Sequence, residues 1–178
     1  MRAILLALVM VVAGTVAGCR KETAQNAPAP FALTEGAIGH YCGMNLTEHA
    51  GPKGQIILSS RQEPVWFSSA RDTISFTMLP DEPKDIRAIY VSDMAKAASW
   101  QDPGATNWVD ARKALFVIES RLKGGMGAAE AVPFSGQAEA ERFVAENGGR
   151  IVAFDQIPRD YILAPAEPDP SGHPQHRH

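Results

Sequence analysis

The residues best equipped for chemistry lie in one short run, His40-Tyr41-Cys42-Gly43-Met44, with His49 close behind. The chain holds two cysteines, and the other, Cys19, closes an apolar leader at the N-terminus. Cys42 is then left without a disulfide partner in its own chain. An unpaired thiol in an oxidising compartment is open to disulfide exchange and sulfenic acid formation, so its presence calls for a reason. Three reasons compete: an inert buried cysteine packed as a small hydrophobe, a catalytic thiol with an activating base, and a metal ligand. The neighbouring residues favour the third. Cysteine and methionine stand at i and i+2, so in an extended segment both side chains point to one face, and Gly43 carries no Cβ to crowd an ion. Thiolate and thioether are soft donors that select Cu(I) over harder divalent ions. Zinc asks for four strong nitrogen or sulfur ligands, which this segment alone cannot supply. An incidental, packed Cys-Met pair remains the alternative.

A second sulfur stands in Gly124-Gly125-Met126-Gly127. Glycines on both sides point to a loop tip that presents a thioether, against the alternative of a methionine plugging a gap in the core. Met78 and Met94 sit among apolar residues and read as packing. His173, His176 and His178 in the tail are a low-specificity extra for metal.

Two stretches resemble each other and must position these residues. Val65-Trp66-Phe67-Ser68 and Val132-Pro133-Phe134-Ser135 each follow a glutamate, Glu63 or Glu130, and Phe76 and Phe143 keep the same spacing. Before each lies a β-branched or bulky run, 55–60 and 113–120, that reads as a strand. After each comes a helix, about 68–79 in the first copy, ended by Pro80 and Pro83. In the second copy Ser135 serves as the cap and Gly148-Gly149 as the stop. Strands over 85–92 and 149–154 complete the pattern. The fold class predicted is α+β, two pseudo-repeated ββαβ units packed together, spanning 31–95 and 96–163. Trp100 and Trp108, in the linker, are expected to seal the seam between halves. Pseudo-symmetry is expected to bring the Cys42 and Met126 loops near each other.

The ends read as address and tether. Arg2 is followed by apolar residues 3–13 and small residues 14–18, a run short of the roughly 20 that span a bilayer as a helix. Residues 1–18 are expected to be a signal peptide. Val16-Ala17-Gly18-Cys19 resembles the bacterial lipobox, which would make Cys19 an acylated N-terminus on the periplasmic side. Arg20 stands where a retention aspartate would sit, and the outer membrane is the favoured anchor. Residues 19–30 look like a flexible tether, and 164–178, proline-rich with histidines, like a disordered tail. A net charge of −3 with no basic run gives no footing for nucleic acid.

In combination, the lipobox, Cys42-Gly43-Met44, Gly125-Met126-Gly127 with Val132-Pro133-Phe134, and the stretch from Gly148-Gly149 to Phe154 resemble the NosL family of nitrous oxide reductase accessory lipoproteins. The resemblance covers most of 40–163, and its specificity lies in the order and spacing of motifs that are individually weak. It implies the two-unit ββαβ fold, Cu(I) binding, and delivery of copper to nitrous oxide reductase, with a periplasmic component of an ABC-transporter-linked maturation system as a further partner. Cys42 and Met44 match the family's sulfur motif and Met126 its second-half methionine. The roles implied are Cys42 as thiolate anchor, Met44 as adjacent thioether, and Met126 or His40 as a third, weaker donor. The histidine tail is not part of the pattern. Two rivals are an enzyme and a structural assembly lipoprotein without metal. The fold outline also looks like that of organomercurial lyases, whose chemistry relies on paired cysteines; one remains here, and a thiol peroxidase would lack a resolving cysteine.

Overall fold

The computed structural model describes residues 27–125 and 127–166. The expected leader, the acylation expected at Cys19, Met126 and the histidines of the tail lie outside the described residues.

The elements are β1 (Gly54–Leu58), β2 (Val65–Phe67), α1 (Ala70–Met78), β3 (Ile86–Ser92), β4 (Trp108–Asp110), β5 (Leu115–Ile118), β6 (Val132–Phe134), α2 (Gln137–Asn147), β7 (Arg150–Ala153) and α3 (Arg159–Leu163). Two antiparallel sheets form, ordered β2-β1-β3-β4 and β6-β5-β7. In each the first strand of a ββαβ unit is central, paired on one side with its hairpin partner and on the other with the strand that follows the helix. Gly54 faces Phe67 and Ile56 faces Val65 in the first hairpin, as Leu115 faces Phe134 and Val117 faces Val132 in the second. The expected α+β architecture of two ββαβ units is therefore present, with β4 and α3 added.

Strand alternation builds the core. Phe116 and Ile118 of β5 join Ile56, Leu58, Phe67, Ile89 and Val91 of the first sheet in one buried cluster, together with Ile74 of α1 and Ile162 of α3. Val117, between them in sequence, points the other way and packs with Val132, Phe134 and Ala140 under α2. That period of two is what a strand covered on both faces requires. On the outer face of the first sheet, Gln55 is buried and exchanges two hydrogen bonds with the backbone of Phe31, so the N-terminal segment serves as its lid. Among the described residues no helix is long and apolar enough to cross a membrane.

Four details depart from the sequence reading. Ser135 does not cap α2, which starts from Gly136 without a side-chain cap. Its amide and hydroxyl instead donate to the Asp93 carboxylate at 2.9 and 2.6 Å, because that buried group needs compensation more than an exposed helix end does. The strand over 113–120 is shorter, since Asp110 accepts the Arg112 amide and turns 111–113 into a 3-10 loop. Trp108 lies within the stretch assigned to the second unit, yet β4 pairs with β3, and its ring rests on Trp66 at 5.9 Å, away from the seam. Trp100 does lie at the seam, stacked on Phe143 of α2 and taking the Gly51 amide on its carbonyl at 2.7 Å. The fourth departure is the geometry of the Cys42 segment.

Candidate metal centre

Cys42-Gly43-Met44 is not extended. Gly39 and Met44 close a tight turn through Gly39 N–H to Met44 O at 2.9 Å, and Gly43 N–H donates to Gly39 O at 2.8 Å. Gly43 has φ +66°, in the left-handed region, so its glycine is demanded by the backbone and not only by space for an ion. The turn is fixed to the edge of the first sheet, where His40 N–H donates to Trp66 O at 2.8 Å. Cys42 Sγ folds back over Gly39: a Cβ built there would stand 2.4 Å from the sulfur. The thiol is free and partly exposed, with Met44 O at 4.0 Å. Met44 is 38% exposed beside it, and Ile38 and Tyr41 are 51% and 42% exposed on the same turn.

His40 stands next to Cys42 in sequence, but its ring lies edge-on to Phe67 and Phe76, and its Nε2 faces Glu82 at 3.4 Å. Tyr41 donates its hydroxyl to the same Glu82 oxygen at 2.8 Å. Partial burial, then that carboxylate, push the Tyr41 pKa up, so the phenol stays protonated.

Gly125 of the second unit reaches the His49–Ala50 segment, which follows the Cys42 turn in sequence. Gly127 N–H donates to Gly124 O at 2.8 Å, tightening the loop, and Gly125 lies against the segment that follows the Cys42 turn. A Cβ on Gly125 would come within 2.7 Å of His49 Cβ and 2.9 Å of Ala50 O. Pseudo-symmetry is not the cause, because the Cys42 turn precedes β1 whereas the glycine loop joins β5 to β6, a different place in its unit. Packing of the two sheets around a shared core brings Gly125 onto the His49–Ala50 segment.

Beneath both lies a set of polar residues that sequence reasoning missed. Lys53 is 2% exposed and donates from Nζ to His49 O at 2.6 Å and Gly51 O at 2.7 Å. Burial lowers its pKa to about 8, against upward pulls from Glu130 and Cys42. Glu130 is 1% exposed, and its Oε1 accepts the amides of Arg71 and Ala131 at 2.8 and 2.9 Å. Burial raises its pKa to about 8 despite those two bonds. Glu130 Oε2 and His49 Nε2 are buried without a hydrogen-bond partner. Only the repeated glutamate hinted at this set, and its counterpart Glu63 is exposed.

Among the described residues no three His, Cys, Asp or Glu side chains gather as a metal cluster. What the surface offers an ion is one thiol with a thioether two residues away, a soft donor pair suited to a monovalent soft cation.

A family model described as NosL matches residues 30–162. The chain is 43% identical over 161 residues to the copper-binding lipoprotein NosL of Achromobacter cycloclastes, covering 90% of this chain and 83% of that protein. It is 30% identical over 151 residues to the copper-binding lipoprotein NosL of Stutzerimonas stutzeri, covering 84% and 77%. The crystal structure of the copper chaperone NosL from Shewanella denitrificans matches with a TM-score of 0.67 at 33% identity, over 75% of this chain and 97% of that one. Motif order, architecture and these matches agree, and the chain belongs to the NosL family.

Proposed function

We propose that this protein is a periplasmic lipoprotein, anchored through acylated Cys19 in the outer membrane, that binds Cu(I) as cargo on Cys42 and Met44. It is a carrier and not an enzyme, and it delivers the ion to nitrous oxide reductase for assembly of that enzyme's copper centres. A periplasmic component of an ABC-transporter-linked maturation system is the second partner. The copper-binding names of two relatives support the metal. The observation that carries the reading is the Cys42 turn: a free thiol locked by Gly39 and Gly43 at the surface, with Met44 exposed beside it.

A carrier must hold its cargo and yet let go. Cu(I) is d¹⁰ and tolerates two or three ligands, so an open site lets an incoming Met or His bind before Cys42 leaves. The third donor is Met126 or His40; for His40 this requires Nε2 to exchange its Glu82 contact for the ion, or Nδ1 to turn to it. Ile38, Tyr41 and Met44 are exposed on the same turn as the thiol, an apolar surface that a partner would cover during transfer. Binding requires the thiolate, so loading releases a proton and weakens as pH falls.

The test is anaerobic titration of the full chain and of Cys42→Ser with Cu(I) against a chromophoric chelator, followed by incubation of the loaded protein with copper-free nitrous oxide reductase. The parent is expected to bind one tight equivalent and to load the enzyme faster than chelated copper does. A Cys42→Ser protein with unchanged stoichiometry and affinity would remove the reading.

A further inference from the structure

Strand alternation sorts the first sheet into two faces. Ile56, Phe67, Ile89 and Val91 go to the core, so Gln55, Trp66 and Tyr90, aligned across neighbouring strands, face outward together. Trp108 of β4 points the same way, and its ring meets Trp66 at 5.9 Å although β1 and β3 lie between their strands. The N-terminal segment crosses this face as a strap. Tyr90 donates its hydroxyl to Pro28 O at 2.7 Å, and Gln55 holds Phe31 through both of its main-chain groups. From Ala27 to Ala32 the strap has no polar or charged side chain, and Phe31 is 41% exposed. Arg112 and Lys113 are exposed just past β4, with the Lys113 ammonium 3.7 Å from Asp110, which ends the outward row beside Tyr90. An apolar surface bearing tryptophan and tyrosine, with cations at its rim, has the composition that settles at the headgroup level of a bilayer.

Chain length says what covers this face. Pro28 stands nine residues past Cys19, a reach of about 30 Å when fully extended. A globule of this size has a radius of about 18 Å, so its far side lies roughly 55 Å away around the surface. An acyl group on Cys19 therefore keeps the strap close to the membrane and leaves α2, behind the second sheet, out of its reach. We propose that the protein rests on the lipid bilayer through the outer face of its first sheet, with Phe31, Trp66 and Trp108 at headgroup depth and Arg112 and Lys113 on lipid phosphates. This rests on the lipoprotein reading above. The acyl group supplies the anchoring and the face supplies the orientation. The Cys42 turn hangs on the β2 edge of the same sheet, by His40 N–H to Trp66 O at 2.8 Å, so a sheet laid on the bilayer fixes the direction in which the thiol is offered.

The experiment uses the acylated full chain in vesicles of phosphatidylethanolamine and phosphatidylglycerol, with or without bromine high on the acyl chains, where it quenches tryptophan on contact. Trp66 and Trp108 are read in a Trp100→Phe background; Trp100, stacked on Phe143 at the seam, is read in Trp66→Phe/Trp108→Phe. The expected result is a loss of emission from Trp66 and Trp108 in brominated vesicles and none from Trp100. Phe31→Glu, which leaves the main-chain bonds to Gln55 in place, should abolish that loss. Arg112→Gln/Lys113→Gln should lower the resting population by about fivefold for each cation removed. Quenching of Trp66 and Trp108 no greater than that of Trp100 overturns the proposal, as does quenching that survives both sets of substitutions in a native fold. An emission shift that grows with protein density and is the same in plain and brominated vesicles overturns it too, in favour of a second copy on this face. N-terminal mass spectrometry reports separately on the anchor. A chain without lipid on Cys19 ends the lipoprotein reading and this proposal together, whereas an acylated chain with unquenched Trp66 and Trp108 ends this proposal alone.

Discussion

Gly39→Ala is the most revealing small perturbation of the Cys42 turn. The added methyl would sit 2.4 Å from Cys42 Sγ and 3.4 Å from Leu46 Cδ1. Leu46 is already at ordinary contact distance, but the sulfur must retreat by roughly 1 Å or change rotamer to reach a tolerable separation. The backbone need not move, because Gly39 is not among the glycines with positive φ and both its hydrogen bonds, to Met44 O and from Gly43 N–H, use main-chain atoms. Forcing a methyl into such a contact typically costs ~1–3 kcal/mol. If the sulfur is the obstacle, Cys42→Ala should abolish most of that cost, and a double-mutant cycle by urea denaturation should give a coupling of about 1–2 kcal/mol. If the ion is held at the observed position of the sulfur, as proposed above, Cu(I) affinity should fall by about tenfold or more while circular dichroism stays native. A Gly39→Ala protein with the parent's copper affinity and no coupling to position 42 would show that the observed thiol placement is irrelevant to binding.

Other perturbations give equally direct readings. Gly43→Ala meets no steric neighbour but forces a side chain to φ +66°, at a cost of about 1–2 kcal/mol, and the melting temperature should fall by roughly 2–8 °C. Glu130 has its pKa raised by burial to about 8, so the folded state holds a proton that the unfolded state releases from about pH 4.5 upward. Stability from this group is therefore present at acid pH and lost as pH rises toward 8; Glu130→Gln should flatten that slope in denaturant titrations at pH 5.5 and 8, and an unchanged slope would contradict the assignment. Burial alone would raise the Asp93 pKa, but bonds from Ser135, Lys96 and Ala95 outweigh it and hold it below the usual carboxylate range. Its contribution is present above the unfolded pKa and lost as pH falls through the folded one. Asp93→Ala should cost about 2–4 kcal/mol by urea denaturation at pH 7, since it orphans the Ser135 amide and hydroxyl; a loss under 1 kcal/mol would contradict it.

The architecture was legible because its signals are local. β-Branched runs such as Ile56-Ile57 and Phe116-Val117-Ile118, with Gly148-Gly149 as a stop, announce strand and helix ends from neighbouring residues alone. Cys42 and Met44 are proposed as donors on residue type, but their geometry was not legible: Gly43 reads equally well as a gap in an extended strand or as a left-handed turn, and hydrogen bonds through Gly39 select the turn. Ser135 lost its capping role to Asp93, a residue distant in sequence. Lys53 and Glu130 were invisible for the same reason. Pro52-Lys53-Gly54 has the look of an exposed turn, and Glu63 and Glu130 occupy matching places in the repeat, yet only the second is covered by α1 and the glycine loop. Burial of a charge is set by the packing of one unit on the other, and no local pattern encodes it.

The carrier account is tested most directly by X-ray absorption on the Cu(I)-loaded full chain, read beside Cys42→Ser. The account predicts a low-coordinate ion with at least two sulfur neighbours in the parent and the loss of one of them in the variant. An ion surrounded by nitrogen or oxygen alone, or a spectrum unchanged when Cys42 is replaced, would contradict it.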